Sequence, residues 1–282
     1  MNNLKFAFFG TPLIAKQTLD ILADNGYIPS VIITSPDARS GRGMNMNQSP
    51  VSEWAGNHNI KCFKPERIGQ EFTDEFNKLD IDLSIVVAYG KILPEYIISI
   101  PKLGTINIHY SLLPKYRGAS PLESSLLNGD RVTGVSIQQM AFKLDSGPII
   151  TEKEISIDIN ETKDDLKNKL IILGGNLLCE ILPEVINKKI TSRIQDESLA
   201  IYCTKINKED GQIDLNSDAS VNYNKYRAFY GWPGVYFFTT KHGKKIRVKI
   251  KQATYENGLF TIKRVTPEGK REISYEDFLR QN

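Results

Sequence analysis

Five short apolar runs in the first half of the chain, at 4–9, 27–34, 83–88, 105–109 and 133–140, alternate with stretches whose apolar residues recur every three or four positions. Few architectures accommodate that order. Strands separated by helical crossovers pair side by side in parallel, and the helices cover the faces of the sheet. The alternation therefore predicts an α/β domain around a mostly parallel sheet. In an open sheet of this kind ligands collect beyond the carboxyl ends of the strands, near the point where strand order reverses. Polar residues at strand ends are thus the first candidates for function.

The pattern changes after 162–187, a long amphipathic stretch. Residues 188–201 are polar without a clear period, and beyond them come short β-rich segments with turn signals at 232–240, 245–252 and 258–265. The expected organisation is a first domain over 1–187, a linker over 188–203 and a small β-barrel or sandwich over 204–282. A length of 282 residues with 40% hydrophobic content fills two cores. Charge is divided unevenly between them. Residues 204–282 hold 15 Lys and Arg against 9 Asp and Glu, a net of +6, whereas the preceding 203 residues hold 21 against 24, a net of −3. A basic tail fits a polyanionic partner, and equally a bias toward solubility.

Other classes are disfavoured. The apolar run from Phe6 to Phe9 is far short of a signal peptide or of the ~20 residues a membrane helix requires. Cys62, Cys179 and Cys203 form no CxxC pair and have no histidine at ligand spacing, so neither a disulfide framework nor a metal site is predicted. The expectation is a cytoplasmic protein with no membrane partner. Its oligomeric state is left open, a monomer being the simplest expectation.

Chemistry concentrates at 105–109. Asn107 and His109 are one residue apart in a strand, so their side chains share a face and Ile108 points to the other. Ser111-Leu112-Leu113-Pro114 follows at once, and Leu144-Asp145-Ser146-Gly147 puts a carboxylate on a turn after the next strand. Taken singly, His109 fits a satisfied core histidine and Asp145 an ordinary turn residue. Their combination is more specific.

Asn-x-His, the Ser-Leu-Leu-Pro loop and an Asp in a Leu-Asp-x-Gly turn, in this order and spacing, resemble the folate-dependent formyltransferase family. Further segments narrow the likeness to members that act on methionyl-tRNA. These are Phe9-Gly10-Thr11-Pro12, Ser35-Pro36-Asp37, Gly41-Arg42-Gly43, Ser49-Pro50-Val51 and Val86-Val87-Ala88-Tyr89-Gly90, with Arg227-Ala228-Phe229, Trp232-Pro233-Gly234 and Glu268-Gly269-Lys270 in the tail. The resemblance covers essentially the whole chain. It implies a Rossmann-like, mostly parallel sheet domain followed by a small OB-like β-barrel domain. Tyr110, Lys115 and Ser120 stand where the family often has Gly, Arg and Ala, and 253–258 passes through a short turn where a longer barrel segment is expected, which implies a reduced barrel.

By the same resemblance Asn107, His109 and Asp145 are catalytic. The co-substrate is 10-formyltetrahydrofolate, with no metal, and its folate is held by Ser111, Leu112, Leu113 and Pro114 and by the main chain at Val86, Val87, Tyr89 and Gly90. The acceptor is methionyl initiator tRNA, touched by Arg39 and Arg42 on the polar segment 35–48, read as a mobile loop, and by Lys245, Arg247 and Lys249 in the tail. Alternation along 245–251 puts Lys245, Arg247, Lys249 and Lys251 on one face, with Ile246, Val248 and Ile250 on the other. Such a face could track phosphates, or merely protect an edge strand from aggregation.

Transfer would begin with attack of the methionine α-amine, whose ordinary pKa of about 7.7–8.0 leaves part of it neutral at physiological pH. Asn107 and His109 would donate to the oxyanion of the tetrahedral intermediate, while Asp145 beside His109 would favour its protonated form and assist proton transfer to the departing nitrogen. Four rivals stay open. They are the same chemistry on an amino sugar nucleotide, hydrolysis of the formylfolate, a Ser111-His109-Asp145 hydrolase lacking a Gly-x-Ser-x-Gly elbow, and a non-catalytic tRNA or folate binder. Trp232 and Tyr236 fit the core, an interdomain contact or RNA stacking, with the core as the first expectation.

Overall fold

The computed structural model describes residues 4–40, 45–241 and 243–280. In chain order its elements are β1 (Phe6–Gly10), α1 (Leu13–Asp24), β2 (Val31–Ile33), β3 (Ala38–Ser40), β4 (Asn45–Asn47), α2 (Pro50–Asn57), β5 (Cys62–Phe63), α3 (Gln70–Asn77), β6 (Leu83–Val87), α4 (Glu95–Ile98) and β7 (Thr105–His109). There follow β8 (Arg117–Gly118), α5 (Pro121–Leu127), β9 (Val132–Gln139), β10 (Ile149–Ser156), α6 (Lys163–Ile186), β11 (Tyr202–Cys203), α7 (Ala219–Ala228), β12 (Val235–Lys241), β13 (Lys244–Glu256), β14 (Leu259–Pro267), β15 (Ile273–Ser274) and α8 (Tyr275–Arg280). Packing divides them into two compact units, one of 1–117, 134–154 and 169–201, the other of 118–133, 155–168 and 202–282. Of residues 188–203, expected as linker, 188–201 group with the first unit and 202–203 with the second.

The first unit holds a seven-stranded sheet of order β10-β9-β7-β6-β1-β2-β5. From β5 to β7 the strands run parallel, with Phe8 opposite Ile32, Phe9 opposite Val86 and Val86 opposite Asn107. Strand β9 runs antiparallel to β7, pairing Asn107 with Gln138 and His109 with Ser136. Strands β1, β6 and β7 are buried at every position, which explains why they read as continuous apolar runs rather than alternating ones. Phe9, Val86 and Tyr89 join Phe72, Phe76 and Leu93 in one core layer. Each such side chain contributes roughly 1.5–3 kcal/mol by leaving water.

Strand order reverses around β1, whose neighbours are β2 on one side and β6 on the other. The loops leaving β1 and β6 meet at this point, where the Thr11 hydroxyl donates to the Tyr89 carbonyl at 3.1 Å. Residues 35–48, read from composition as a mobile loop, contain a short antiparallel ladder pairing Ala38 with Asn47 and Arg39 with Met46. Backbone hydrogen bonding between the two arms outweighs the polar, turn-like composition from which a loop was read.

The second unit carries an antiparallel sheet of order β12-β13-β14-β15. Its core joins Tyr223 and Tyr226 of α7 to Val235, Phe237, Val248, Ile250, Val265 and, from α8, Phe278. The carboxylate of Asp218 caps α7 by accepting from the backbone of Ser220 and Val221 at 2.8 and 3.2 Å. Strand β13 continues to Glu256, well into the stretch 253–258 expected to form the turn. The reversal falls on Asn257 and Gly258 alone, both at positive φ (51° and 79°), the conformation that a two-residue hairpin turn requires. Among the described residues no helix is long and apolar enough to cross a membrane.

Candidate active site

Strand β7 has the bounds expected for it, and its alternation sets out the site. Ile108 packs toward α6, where Gly174 leaves room, since a Cβ there would lie 3.1 Å from the isoleucine Cγ2. Thr105, Asn107 and His109 share the opposite face, on which the Thr105 hydroxyl donates to the Ile98 carbonyl at 2.8 Å. Directly opposite Asn107 and His109 on β9 stand Gln138 and Ser136. Four buried polar side chains therefore line two neighbouring strands at one end of the sheet.

His109 Nε2 lies 2.9 Å from the Tyr116 carbonyl oxygen. A carbonyl only accepts, so this nitrogen carries the proton and Nδ1 is the ring position left for exchange. Nδ1 faces Asp145 Oδ2 at 3.8 Å, near enough for charge attraction and too far for a direct hydrogen bond. The Asn107 amide differs from the imidazole. Among the described residues no hydrogen bond engages its side chain, although Asn107 is buried. Its N–H groups are available to a ligand.

Asp145 has φ of 46°, a left-handed conformation that side chains other than glycine adopt at a cost. Several buried bonds hold it there. Gln138 Nε2 donates to Asp145 Oδ1 at 3.2 Å, while Gln195 Nε2 donates to the carbonyls of Asp145 and Gly147 at 2.8 and 2.7 Å. Gln195 Oε1 in turn accepts from Arg117 Nε and Nη2 at 3.0 and 2.8 Å. Arg117 is fully buried, and its Nη1 lies 2.9 Å from the Glu197 carboxylate. Gly147 must lack a side chain, because a Cβ would meet the Gln139 carbonyl oxygen at 1.7 Å. This contact is the physical reason for glycine in the Leu-Asp-Ser-Gly turn.

The Ser111–Pro114 loop runs beside these residues. Ser136 Oγ accepts from the Leu113 amide at 2.9 Å and lies 2.8 Å from both the Ser111 carbonyl and Glu152 Oε1. The Ser111 hydroxyl is fully buried and donates to the Lys115 carbonyl at 2.5 Å. It does not bond His109, so the serine-hydrolase arrangement is not formed. Leu112 is partly exposed and Leu113 buried. Val86, Val87 and Tyr89 are also buried, and the Tyr89 ring sits edge-on to Phe9 at 5.5 Å. Burial pushes the Tyr89 hydroxyl up to about 12. The exposed positions of this segment are Ala88 and Gly90, both with positive φ.

The expected nucleic-acid residues lie elsewhere. Arg39 is exposed on β3, and Arg42 falls outside the described residues. In the second unit Lys245, Arg247 and Lys249 are exposed on one face of β13, with Val248 and Ile250 buried on the other. Lys245 lies over the Phe238 ring at 4.4 Å and Arg247 over Tyr236 at 5.5 Å, a contact that sequence reading did not foresee. Tyr236 is half-buried on that face, and Trp232 is 51% exposed, so neither takes the core place expected of it. Trp232 lies in a turn between Gly231 and Gly234, both at positive φ, before β12 begins.

Sequence reading missed Ser136, Gln138, Gln195, Arg117 and the Tyr116 carbonyl. One signal was available for two of them, since Ser136 and Gln138 alternate with Val135 and Ile137 in a strand flanking the Asn-x-His strand. Nothing local distinguishes Gln195.

The chain is similar to known proteins over most of its length. The family model described as formyl transferase matches residues 4–202, and the model described as formyl transferase, C-terminal domain, matches 205–261. The chain is 36% identical to a methionyl-tRNA formyltransferase of Methylococcus capsulatus over 98% of its own length and 96% of that protein. It is 42% identical to the protein of the same name from Thermotoga maritima over 83% of its length and 75% of that protein. Among solved structures, an N-formyltransferase from Helicobacter canadensis in complex with folinic acid and dTDP-3-aminofucose shares the fold, with a TM-score of 0.64, 20% identity and coverage of 96% of this chain and 98% of that one. By the extent of these matches, the chain belongs to the formyl transferase family.

Proposed function

We propose that this protein transfers the formyl group of 10-formyltetrahydrofolate to the α-amino group of methionine on initiator tRNA, in the cytoplasm and for translation initiation. The observation that carries the chemistry is the uncommitted Asn107 amide beside an imidazole whose other nitrogen is already fixed. Formyl transfer between two nitrogens builds negative charge on the formyl oxygen, and a preorganised amide donor stabilises it without reorganisation. The incoming amine must lose a proton as the new C–N bond forms. His109 Nδ1 is the base in this arrangement rather than an oxyanion donor, because Nε2–H is held by Tyr116; the protonated ring faces the Asp145 carboxylate and passes the proton to the folate nitrogen as the intermediate collapses, its C–N bond breaks and tetrahydrofolate leaves.

The donor's folate fits the main chain of Val86, Val87, Tyr89 and Gly90 and the Ser111–Pro114 loop. Both segments lie at carboxyl ends of strands close to the reversal of strand order, where such ligands collect. The acceptor assignment is supported by identity along the whole chain to proteins named for methionyl-tRNA, whereas likeness to an enzyme seen with an amino sugar nucleotide extends to the fold alone. Arg39 and the cations Lys245, Arg247 and Lys249 would hold tRNA phosphates.

The test is transfer of labelled formyl from 10-formyltetrahydrofolate to methionyl initiator tRNA by wild type and Asn107→Ala, with a dTDP-amino sugar as parallel acceptor. Formylated tRNA from the wild type, lost in the variant, is the expected result. A formylated sugar with unmodified tRNA would reassign the acceptor, and tRNA binding without transfer to either would reduce the protein to a binding module.

A further inference from the structure

We infer that Gln195, with Gln138 and Arg117, is the positioning device that sets Asp145 against His109. This rests on the reading of Asn107, His109 and Asp145 as the site of transfer. Oε1 of Gln195 meets Arg117, which can only donate, and Nε2 meets the carbonyls of Asp145 and Gly147, which can only accept. The orientation of the amide is therefore dictated by its partners. Only a side chain with an acceptor at one prong and two N–H groups at the other satisfies both sides, so neither Glu nor Lys replaces it.

The two carbonyls taken by Nε2 flank Ser146, in the turn where Asp145 adopts its left-handed conformation. Holding both ends of a two-residue span defines the direction in which the Asp145 side chain leaves the backbone. Gln138 completes the placement, since its Nε2 donates to Asp145 Oδ1 while its Oε1 lies 3.3 Å from Gln195 Nε2. The remaining carboxylate oxygen, Oδ2, is the one turned toward His109 Nδ1. The segment bearing Gln195 is itself tied to the sheet. Arg193 and Ile149 exchange two backbone bonds of 2.8 Å, Arg193 pairs with Glu152, and Glu197 bridges Arg117 and Lys143, two residues before Asp145. A stretch with the composition of a linker thus clamps the catalytic turn from outside the strand order.

The experiment is a double-mutant cycle read in single-turnover formyl transfer at saturating substrates, supplemented by KM values. Gln138→Met conserves volume and removes the donor to Asp145 Oδ1, and Gln195→Met removes the bonds to the turn. Each is made in the wild type and in Asp145→Ala. We expect kcat to fall about ten- to a hundredfold in the wild-type background, the scale of a misplaced catalytic group, with KM for folate and for acceptor within about twofold. In Asp145→Ala the same substitutions should change kcat by less than about twofold, because residues that act through one another are not additive. Equal losses in both backgrounds, or a loss confined to KM, would overturn the proposal. Should Gln195→Met fail to fold by circular dichroism, the Gln138→Met cycle decides alone. The cycle is run on whichever amine the wild type formylates, methionyl-tRNA or amino sugar nucleotide, so a wrong acceptor leaves it intact. A wild type inactive toward both would sink this inference together with the proposed chemistry.

Discussion

The polar end of β7 and β9 and the basic face of β13 both display polar or charged side chains by strand alternation, yet they are built in opposite ways. In the first, Asn107, His109, Ser136 and Gln138 are buried, the Tyr116 carbonyl fixes His109, and Gln138 and the distant Gln195 hold Asp145 in place. In the second, Lys245, Arg247 and Lys249 stand in solvent, and Lys245 and Arg247 lean on aromatic rings of the adjacent strand. The difference teaches what each surface is suited to. Positioning within fractions of an ångström needs low dielectric and fully paired neighbours, while attraction to a polyanion needs only charge density and tolerates mobile side chains.

The sharpest way to break this contrast is Asn107→Ala. Loss of one preorganised donor should lower kcat about a hundredfold to a thousandfold with little change in thermal midpoint, and single-turnover transfer at saturating substrate reads it directly. A change below tenfold would remove Asn107 from oxyanion stabilisation. The basic face should answer differently. Replacing Lys245, Arg247 and Lys249 together by Gln should weaken tRNA binding and flatten the logarithmic dependence of affinity on salt by roughly 0.7–0.9 per cation, measured by filter binding across a salt series. A parallel shift with an unchanged slope would mean that these cations do not meet phosphates.

Two smaller effects separate stability in the same regions. Arg117→Met leaves Gln195 Oε1 without its buried donor and should cost about 1–3 kcal/mol in urea unfolding, since an unmade buried hydrogen bond forfeits its desolvation. A neutral result would show that the Gln195 clamp does not depend on its anchor. Gly258→Ala should cost about 1 kcal/mol, the penalty of a Cβ at φ of 79°, and should leave the β13 face in register, as amide chemical shifts along 244–256 would report. Loss of those shifts at equal stability would indicate that the turn, rather than core burial of Val248 and Ile250, sets the register.

Much of the molecule was legible in the linear chain. The bounds of Thr105–His109, the shared direction of Asn107 and His109, the alternation of Lys245, Arg247 and Lys249 with Val248 and Ile250, and the mostly parallel character of the first sheet all follow from periods of two or of three to four. The Asn257-Gly258 turn was legible as well, because an Asn-Gly pair between apolar alternations marks a two-residue hairpin, and 253–258 was read too broadly. The segment 35–48 misled for the converse reason, since its polar composition hides backbone pairing between Ala38–Ser40 and Asn45–Asn47.

What sequence determined by itself is therefore everything governed by local period and by the order of chemically distinctive residues: the sheet, the Asn-x-His pair, the Asp-bearing turn and the cationic face. Tertiary structure alone decided which nitrogen of His109 is committed, that the Ser111 hydroxyl turns to Lys115, and that Gln195, fifty residues beyond Asp145 in a polar stretch, reads the backbone of its turn. The physical reason is that hydrogen bonds between distant segments depend on where chain reversal brings a carbonyl. No side chain announces in advance that it will be the donor that meets it.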